Sequence, residues 1–144
     1  MTSGQRASRR GIRIRGQRGN AVVRKALIRY ASWLRSKYPF PVRVPVYLLP
    51  GETFVTVERE TAVSSFFAPF DRSEEPYIRI ATGDYPELRR ERGRDNALAT
   101  YIFSSNRQLA YYRQWVRTGR IWSSGVNKQA IILLREYEKS VDHP

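Results

Sequence analysis

The sequence contains no cysteine and a single histidine, His143, next to its last residue. The missing thiols exclude disulfides, iron–sulfur clusters and thiolate zinc sites, and one imidazole excludes a metal site built on several histidines. No apolar run approaches the roughly 18 residues that a membrane-spanning helix needs. The N-terminus also lacks the apolar segment of a secretory signal. We therefore expect a cytoplasmic protein that holds no metal and no cofactor.

Acidic residues are absent from the first third of the chain, since the first carboxylate is that of Glu52. Residues 1–51 hold 12 of the 26 lysines and arginines, whereas residues 52–144 hold the other 14 together with all 13 acidic residues. Almost all of the formal net charge of +13 therefore lies in the first 51 residues. This distribution favours a polyanionic partner, nucleic acid above all, that binds the N-terminal third.

Residues 1–19 combine six arginines and four glycines with almost no apolar side chain. We expect this arm to be disordered by itself, because it buries too little surface to offset its ordering entropy. Six arginine–phosphate contacts predict a slope of about −4 to −5 in log affinity against log salt concentration. The other interpretation is a solubilising tail with unspecific affinity for polyanions. The predicted nucleic-acid-binding residues lie in this arm and in the helix that follows: Arg6, Arg9, Arg10, Arg13, Arg15, Arg18, Arg24, Lys25 and Arg29.

The rest of the chain, residues 20–144, is predicted to form one α+β domain. Asn20 is a suitable N-cap for a helix over about residues 21–37. Alternating apolar residues predict a strand over 42–48, and Pro45 favours an edge position because it has no amide hydrogen to donate. Further predicted elements are strands over 53–58, 63–68 and 77–81, a short helix near 89–92, a long helix from Asp95 or Asn96 to Thr118 ended by Gly119, and a last helix after Ser124 or Gly125.

The long helix carries the most informative stretch, RDNALAT from residue 94 and RQLAYYRQW from residue 107. It resembles the active-site helix of small zincin-type metallopeptidases, in which a similar beginning precedes His-Glu-x-x-His-Tyr-x-Gln-Trp. The stretch PYIRIATGDY (76–85) and the last helix resemble the elements on either side, so the resemblance covers roughly residues 20–139. It implies a zincin-like fold with an N-terminal helix, a small and mostly antiparallel sheet, a long central helix and a C-terminal helix.

In this resemblance, every group that a zincin uses for catalysis is replaced. Arg107 and Tyr111 stand at the two histidine positions, and Gln108 stands at the position of the glutamate base. Asn127 is nearest the position of the acidic ligand. Arginine repels a metal cation and glutamine cannot act as a base. The resemblance therefore implies an inactive relative of the metallopeptidases and not an enzyme.

The positions of the replaced site form a degenerate cleft, whose predicted members are Arg107, Gln108, Tyr111, Trp115 and Asn127. Cationic and aromatic groups suit phosphate contact and base stacking. The alternative is that Tyr111 and Trp115 are core residues while Arg107 binds a carboxylate where the metal was. The predicted function is non-enzymatic binding of nucleic acid, RNA rather than DNA, in a ribonucleoprotein such as the ribosome. The competing prediction is a protein-interaction module that holds a peptide in the cleft, and neither involves a membrane.

Overall fold

A computed structural model describes residues 11–142. Within them, the chain is an α+β protein, as predicted, and none of its helices has the length and apolar character to cross a membrane. The elements in chain order are β1 (Ile12–Arg15), α1 (Ala21–Lys37), β2 (Val44–Leu49), β3 (Phe54–Val55), β4 (Thr61–Ala62), β5 (Ser64–Phe67), β6 (Tyr77–Ala81), α2 (Tyr85–Arg92), α3 (Arg94–Thr118) and α4 (Val126–Ser140).

Four of these strands form one mixed sheet in the order β1–β2–β6–β5. Strands β1, β2 and β6 are parallel, β5 is antiparallel to β6, and β3 and β4 form a separate antiparallel pair. The prediction of a mostly antiparallel sheet is therefore wrong for the main sheet. The reason is the connection through α1, which returns the chain to the starting end of β1 before β2 begins and so makes the two strands parallel.

The first strand lies in the segment that was predicted to be disordered. Residues Ile12–Arg15 pair with β2, from Ile12 opposite Val44 to Arg15 opposite Tyr47. The prediction of a disordered arm over residues 1–19 is therefore wrong for this part of it, and residues 1–10 lie outside the described residues. Two apolar side chains suffice to hold the strand, because Ile12 is buried and Ile14 packs against the core.

Strand β2 lies inside the sheet and not at its edge, which corrects the position inferred from Pro45. The amide of Val44 donates to the carbonyl of Gly11, at 3.0 Å, on the β1 side. Successive backbone groups of a strand alternate in direction, so the nitrogen of Pro45 faces the β6 side. The pairing of β2 with β6 begins one residue later, with Val46 opposite Ile78. The missing amide hydrogen of Pro45 therefore removes no hydrogen bond between these two strands.

The cap of α1 and the end of α3 are confirmed, whereas α3 begins at Arg94, ahead of the predicted Asp95 or Asn96 cap, and α2 begins at Tyr85, earlier than predicted. Asn20 caps α1, where its Oδ1 accepts hydrogen bonds from the amides of Val22, at 2.9 Å, and Val23, at 3.2 Å. Helix α3 ends at Gly119, which has the left-handed φ of 78° and donates its amide to the carbonyl of Trp115. Side-chain and glycine caps of this kind depend on residues within one turn, and this is why the sequence predicts them well.

The core lies on one face of the main sheet, against α1 and α3. Alternate strand residues on this face are apolar and at most 1% exposed: Ile12, Val44, Val46, Leu48, Ile78 and Ile80. They form one cluster with buried residues of α1, α3 and α4. We call this side the helix face. The residues between them point to the opposite side, which we call the outer face.

Candidate nucleic-acid interface

Six of the nine predicted nucleic-acid contacts come together in one part of the structure. Arg6, Arg9 and Arg10 lie outside the described residues. The other six belong to β1, the turn after it and α1, which we call the β1–α1 unit: Arg13, Arg15, Arg18, Arg24, Lys25 and Arg29. The basic charge of the described segment is therefore arranged on folded elements.

Two glycines fix the turn of the β1–α1 unit against β2. Gly16 has a φ of +121°, and a Cβ atom there would lie 2.5 Å from the carbonyl oxygen of Leu48. A Cβ on Gly19 would lie 2.6 Å from the Cβ of Leu48, and the Gly19 amide donates to the carbonyl of Gly16 at 3.1 Å. Only glycine allows this close approach. The contact keeps Arg15 and Arg18 at the surface, where both are exposed.

Two arginines of α1 reach across to β1 and its turn. Arg24 donates from Nη1 to the carbonyl of Gln17 at 3.1 Å, and Arg35 donates from Nη1 to the carbonyl of Ile12 at 2.7 Å. Burial, with a smaller contribution from the like charge of Arg13, lowers the pKa of Arg35. The acceptors are uncharged carbonyls, so the bonds position these cations without neutralising them. Arg35 extends the basic surface along α1, on the helix whose other cations were predicted to contact nucleic acid.

The outer face of the sheet brings together side chains that are distant in the sequence. Strand register places ten described residues on it: Arg13, Arg15, Pro45, Tyr47, Leu49, Ser65, Phe67, Tyr77, Arg79 and Ala81. Three of these are arginines, three are aromatic, and none is acidic. The helix face, in contrast, has only apolar side chains in β1, β2 and β6. Sequence reasoning missed the outer face as a site because the pairing of the strands creates it.

The aromatic side chains of the outer face form a row across three strands. Phe67 stacks on Tyr77 with ring centres 4.9 Å apart, and Tyr77 meets Tyr47 edge to face at 5.9 Å. The guanidinium of Arg79 lies 5.5 Å from the ring centre of Tyr77 and 4.9 Å from that of Phe54 in β3. Its Nε is buried and has no hydrogen-bond partner among the described residues. Aromatic rings and guanidinium planes are the groups on which unpaired nucleobases stack.

A groove of about 660 Å³ lies beside this row at the β5 end of the sheet. Its lining includes Phe67, Tyr77 and Arg79 of the outer face, and also Phe70 and Arg120 from the loops after β5 and α3. Phe70 is fully exposed. The acidic residue in the lining is Glu58. We call this space the β5 groove, and its walls combine cationic and aromatic groups.

Three of the five predicted cleft residues lie on the part of α3 that packs near β5. Gln108 is 4% exposed and donates from Nε2 to Ser64 Oγ of β5 at 2.9 Å. Arg107 and Tyr111 are half-buried, and the Nε atom of Arg107 is buried without a hydrogen-bond partner among the described residues. The position that resembles the glutamate base is thus occupied by an amide that is already bonded to the sheet.

The other two predicted cleft residues do not line a cleft with them. Trp115 is fully buried, donates from Nε1 to the carbonyl of Pro69 at 2.9 Å and packs against Phe66. Asn127 is exposed in the first turn of α4. The cleft interpretation is wrong for Trp115, and the alternative that it is a core residue is confirmed, because the segment after β5 covers that side of α3. A helix that is covered on several sides has no single solvent face for the sequence pattern to indicate.

The described residues 11–142 contain no group of three histidine, cysteine, aspartate or glutamate side chains placed to hold a metal ion. The chain matches no protein-family model, no curated protein and no solved structure.

Proposed function

We propose that the protein binds nucleic acid without catalysing a reaction, and that its partner is RNA in a cytoplasmic ribonucleoprotein such as the ribosome. The observation that carries this proposal is the acid-free first third of the chain, with 12 basic residues in residues 1–51. Phosphate contacts of lysine and arginine release counterions from the nucleic acid and supply most of the affinity in such complexes. Arginine also forms bidentate bonds with phosphate, which suits a sequence with far more arginine than lysine.

The β1–α1 unit supports the proposal by its geometry. Lys25 and Arg29 are exposed on α1, and Arg18 is exposed on the turn before it. Arg24 and Arg35 lie on the flank of α1 that reaches β1. A folded unit holds these charges at fixed separations, so less side-chain and backbone entropy is lost when phosphates bind than in a free tail.

In this proposal the scaffold is zincin-like and its catalytic groups have been replaced. Gln108 is bonded to Ser64 and cannot act as a base, and Arg107 places a cation where a zincin places an imidazole. Metal analysis of the purified protein tests this part directly. Stoichiometric zinc would contradict it.

Charge removal in the full chain tests the function. We expect Arg18→Gln with Lys25→Gln to weaken binding to RNA of any sequence and to reduce the salt slope by about 2. The matched control is Lys128→Gln with Lys139→Gln, which removes the same charge from exposed positions on α4 and is expected to leave the slope unchanged. A third variant, with Arg6, Arg9 and Arg10 changed to glutamine, tests the remaining predicted contacts. Unchanged affinity and slope in both the first and the third variant would contradict the proposal.

A second candidate function is capture of a peptide or partner protein at the degenerate cleft. The observation that favours it is the place of β5 at the end of the sheet order, where Gln108 of α3, one residue after Arg107, bonds to Ser64. A terminal strand of this kind offers backbone groups to an added strand. This function predicts that Arg107→Ala or Tyr111→Ala abolishes partner capture while the Arg18→Gln, Lys25→Gln variant retains it.

A further inference from the structure

We propose that the outer face of the sheet holds an unpaired, single-stranded segment of nucleic acid, with one base on Tyr47 and another in the β5 groove. This inference rests on the proposed function, because it takes nucleic acid as the partner. It concerns a different part of the ligand, however. The arginines, including Arg15, which the outer face shares with the β1–α1 unit, contact phosphates, and the aromatic side chains of the outer face contact bases.

The register of the strands builds a stacking position between two cations. Arg15, Tyr47 and Arg79 lie side by side on β1, β2 and β6. Neighbouring strands are about 4.8 Å apart, so the backbone of each arginine lies one strand away from the backbone of Tyr47. A base stacked on such a ring has phosphates on both sides, and an arginine on either side complements them. The absence of acidic groups among the ten outer-face residues removes a source of repulsion.

The exposed side of the Tyr47 ring is open to a ligand. Tyr47 is 40% exposed, although its neighbours Val46 and Leu48 are at most 1% exposed. A large aromatic ring that is partly open on a sheet face offers a flat surface to a ligand.

The β5 groove continues the same chemistry across the sheet. Phe67 and Tyr77 form a stacked pair at one wall, and the buried Nε of Arg79 there has no hydrogen-bond partner within residues 11–142. An unpaired base entering this groove meets aromatic surface and one unsatisfied donor. Tyr47 contacts Tyr77, so the two positions are adjacent and suit consecutive nucleotides of one strand.

This arrangement selects single strands over duplexes. In a duplex the faces of the bases are stacked on each other and only their edges are accessible in the grooves. Stacking on Tyr47 therefore requires an unpaired base. Single-stranded RNA and single-stranded DNA share this chemistry, so the experiment compares the two.

The experiment measures binding of the full chain to a short oligouridylate, to the deoxy strand of the same length and to a duplex of that length, by fluorescence anisotropy. We expect Tyr47→Ala to weaken binding of single strands about tenfold, the loss of one stacked base, and to leave duplex binding unchanged. Tyr47→Phe keeps the ring and is expected to retain wild-type affinity. The single strand, RNA or DNA, that loses more affinity in Tyr47→Ala is the one that the outer face prefers.

The outcomes separate this inference from the proposed function. If Arg18→Gln with Lys25→Gln weakens all three ligands and Tyr47→Ala weakens none, the nucleic-acid function stands and the outer-face site is overturned. An equal loss of single-strand and duplex affinity in Tyr47→Ala also overturns the site. Binding of no ligand overturns both proposals. Photo-crosslinking of wild-type protein to 4-thiouridine RNA avoids any effect of Tyr47→Ala on folding. Crosslinks in β2 and β5 support the site, and crosslinks confined to α1 contradict it.

Discussion

The two faces of one small sheet carry different side chains, and adjacent residues of β2 show the contrast. Leu48 is 1% exposed on the helix face, and Tyr47 is 40% exposed on the outer face. Because side chains alternate along a strand, the same backbone presents apolar groups to the helices and arginine and aromatic groups to the other side. The core of this protein is thus separated from its candidate ligand surface by the thickness of a single sheet.

The largest difference in stability between the two faces is expected when side chains of β2 are truncated to alanine. Leu48→Ala removes a fully buried side chain and is expected to lower the free energy of unfolding by about 2–5 kcal/mol. The neighbouring Tyr47→Ala is expected to lower it by only about 1–2 kcal/mol, since the side chain is 40% exposed and loses mainly its contact with Tyr77. Urea denaturation of both variants measures the difference. Equal destabilisation would mean that the outer face belongs to the core.

A smaller loss of stability is expected from substitution of Gly16, the glycine that brings the turn after β1 against β2. Gly16→Ala places a Cβ 2.5 Å from the Leu48 carbonyl at a φ of +121°, and we expect a cost of about 1–3 kcal/mol or more. Gly125→Ala is the control, because its φ is +79° with no atom within 4 Å of the new Cβ. It is expected to cost only about 1 kcal/mol of backbone strain. Thermal unfolding compares the two, and a larger loss at Gly125 would contradict this account of the turn.

Buried phenols of the helix face predict an alkaline loss of stability. Burial raises the pKa of Tyr112 from 10.0 to about 12, and burial also raises the pKa of Tyr30. In the unfolded chain these groups lose their protons near pH 10, so the unfolded state binds fewer protons than the folded state above that pH. Stability is therefore complete below pH 10 and falls as the pH rises toward 12.

Tyr112→Phe separates this effect from general alkaline unfolding. The variant loses the hydrogen bond that the hydroxyl donates to the carbonyl of Val42, at a cost of about 1 kcal/mol at neutral pH. Its stability is expected to decline less steeply between pH 10 and 12 than that of the wild type. Denaturant titrations across this range test both statements, and parallel curves would exclude Tyr112 as a source of the decline.

The smallest effect on stability, with a clear effect on binding, is expected on the outer face. Arg15→Gln should change the free energy of unfolding by no more than about 0.5 kcal/mol, because the side chain is exposed. It should reduce the salt slope of RNA binding by about 1, the share of one phosphate contact. Arg135→Gln, exposed on α4, is the matched control with an unchanged slope. A change in the free energy of unfolding without a change in the salt slope of RNA binding would mean that Arg15 stabilises the fold and does not contact phosphate.

The sequence predicted well those elements that depend on residues close to one another in the chain. The Asn20 cap, the Gly119 stop and strand β6 over 77–81 were all found from a few neighbouring residues. Strand β1 was missed because Ile12 and Ile14 are surrounded by arginine and glycine, and it is stable only when it pairs with β2. Trp115 was misplaced for a similar reason, since the segment that buries it comes from β5 and the loop after it.

By itself, the sequence determined the charge asymmetry, the bounds of α1, the end of α3 and the alternation of side chains along the strands. These properties depend on composition or on contacts within one or two turns of chain. Only the tertiary structure decided that β2 is internal, that the arginines of β1 lie next to Tyr47, and that Arg79 and Phe67 complete the row. Strand order and register follow from the packing of α1 and α3 on one face and from the course of the connections, and no short window of sequence contains either.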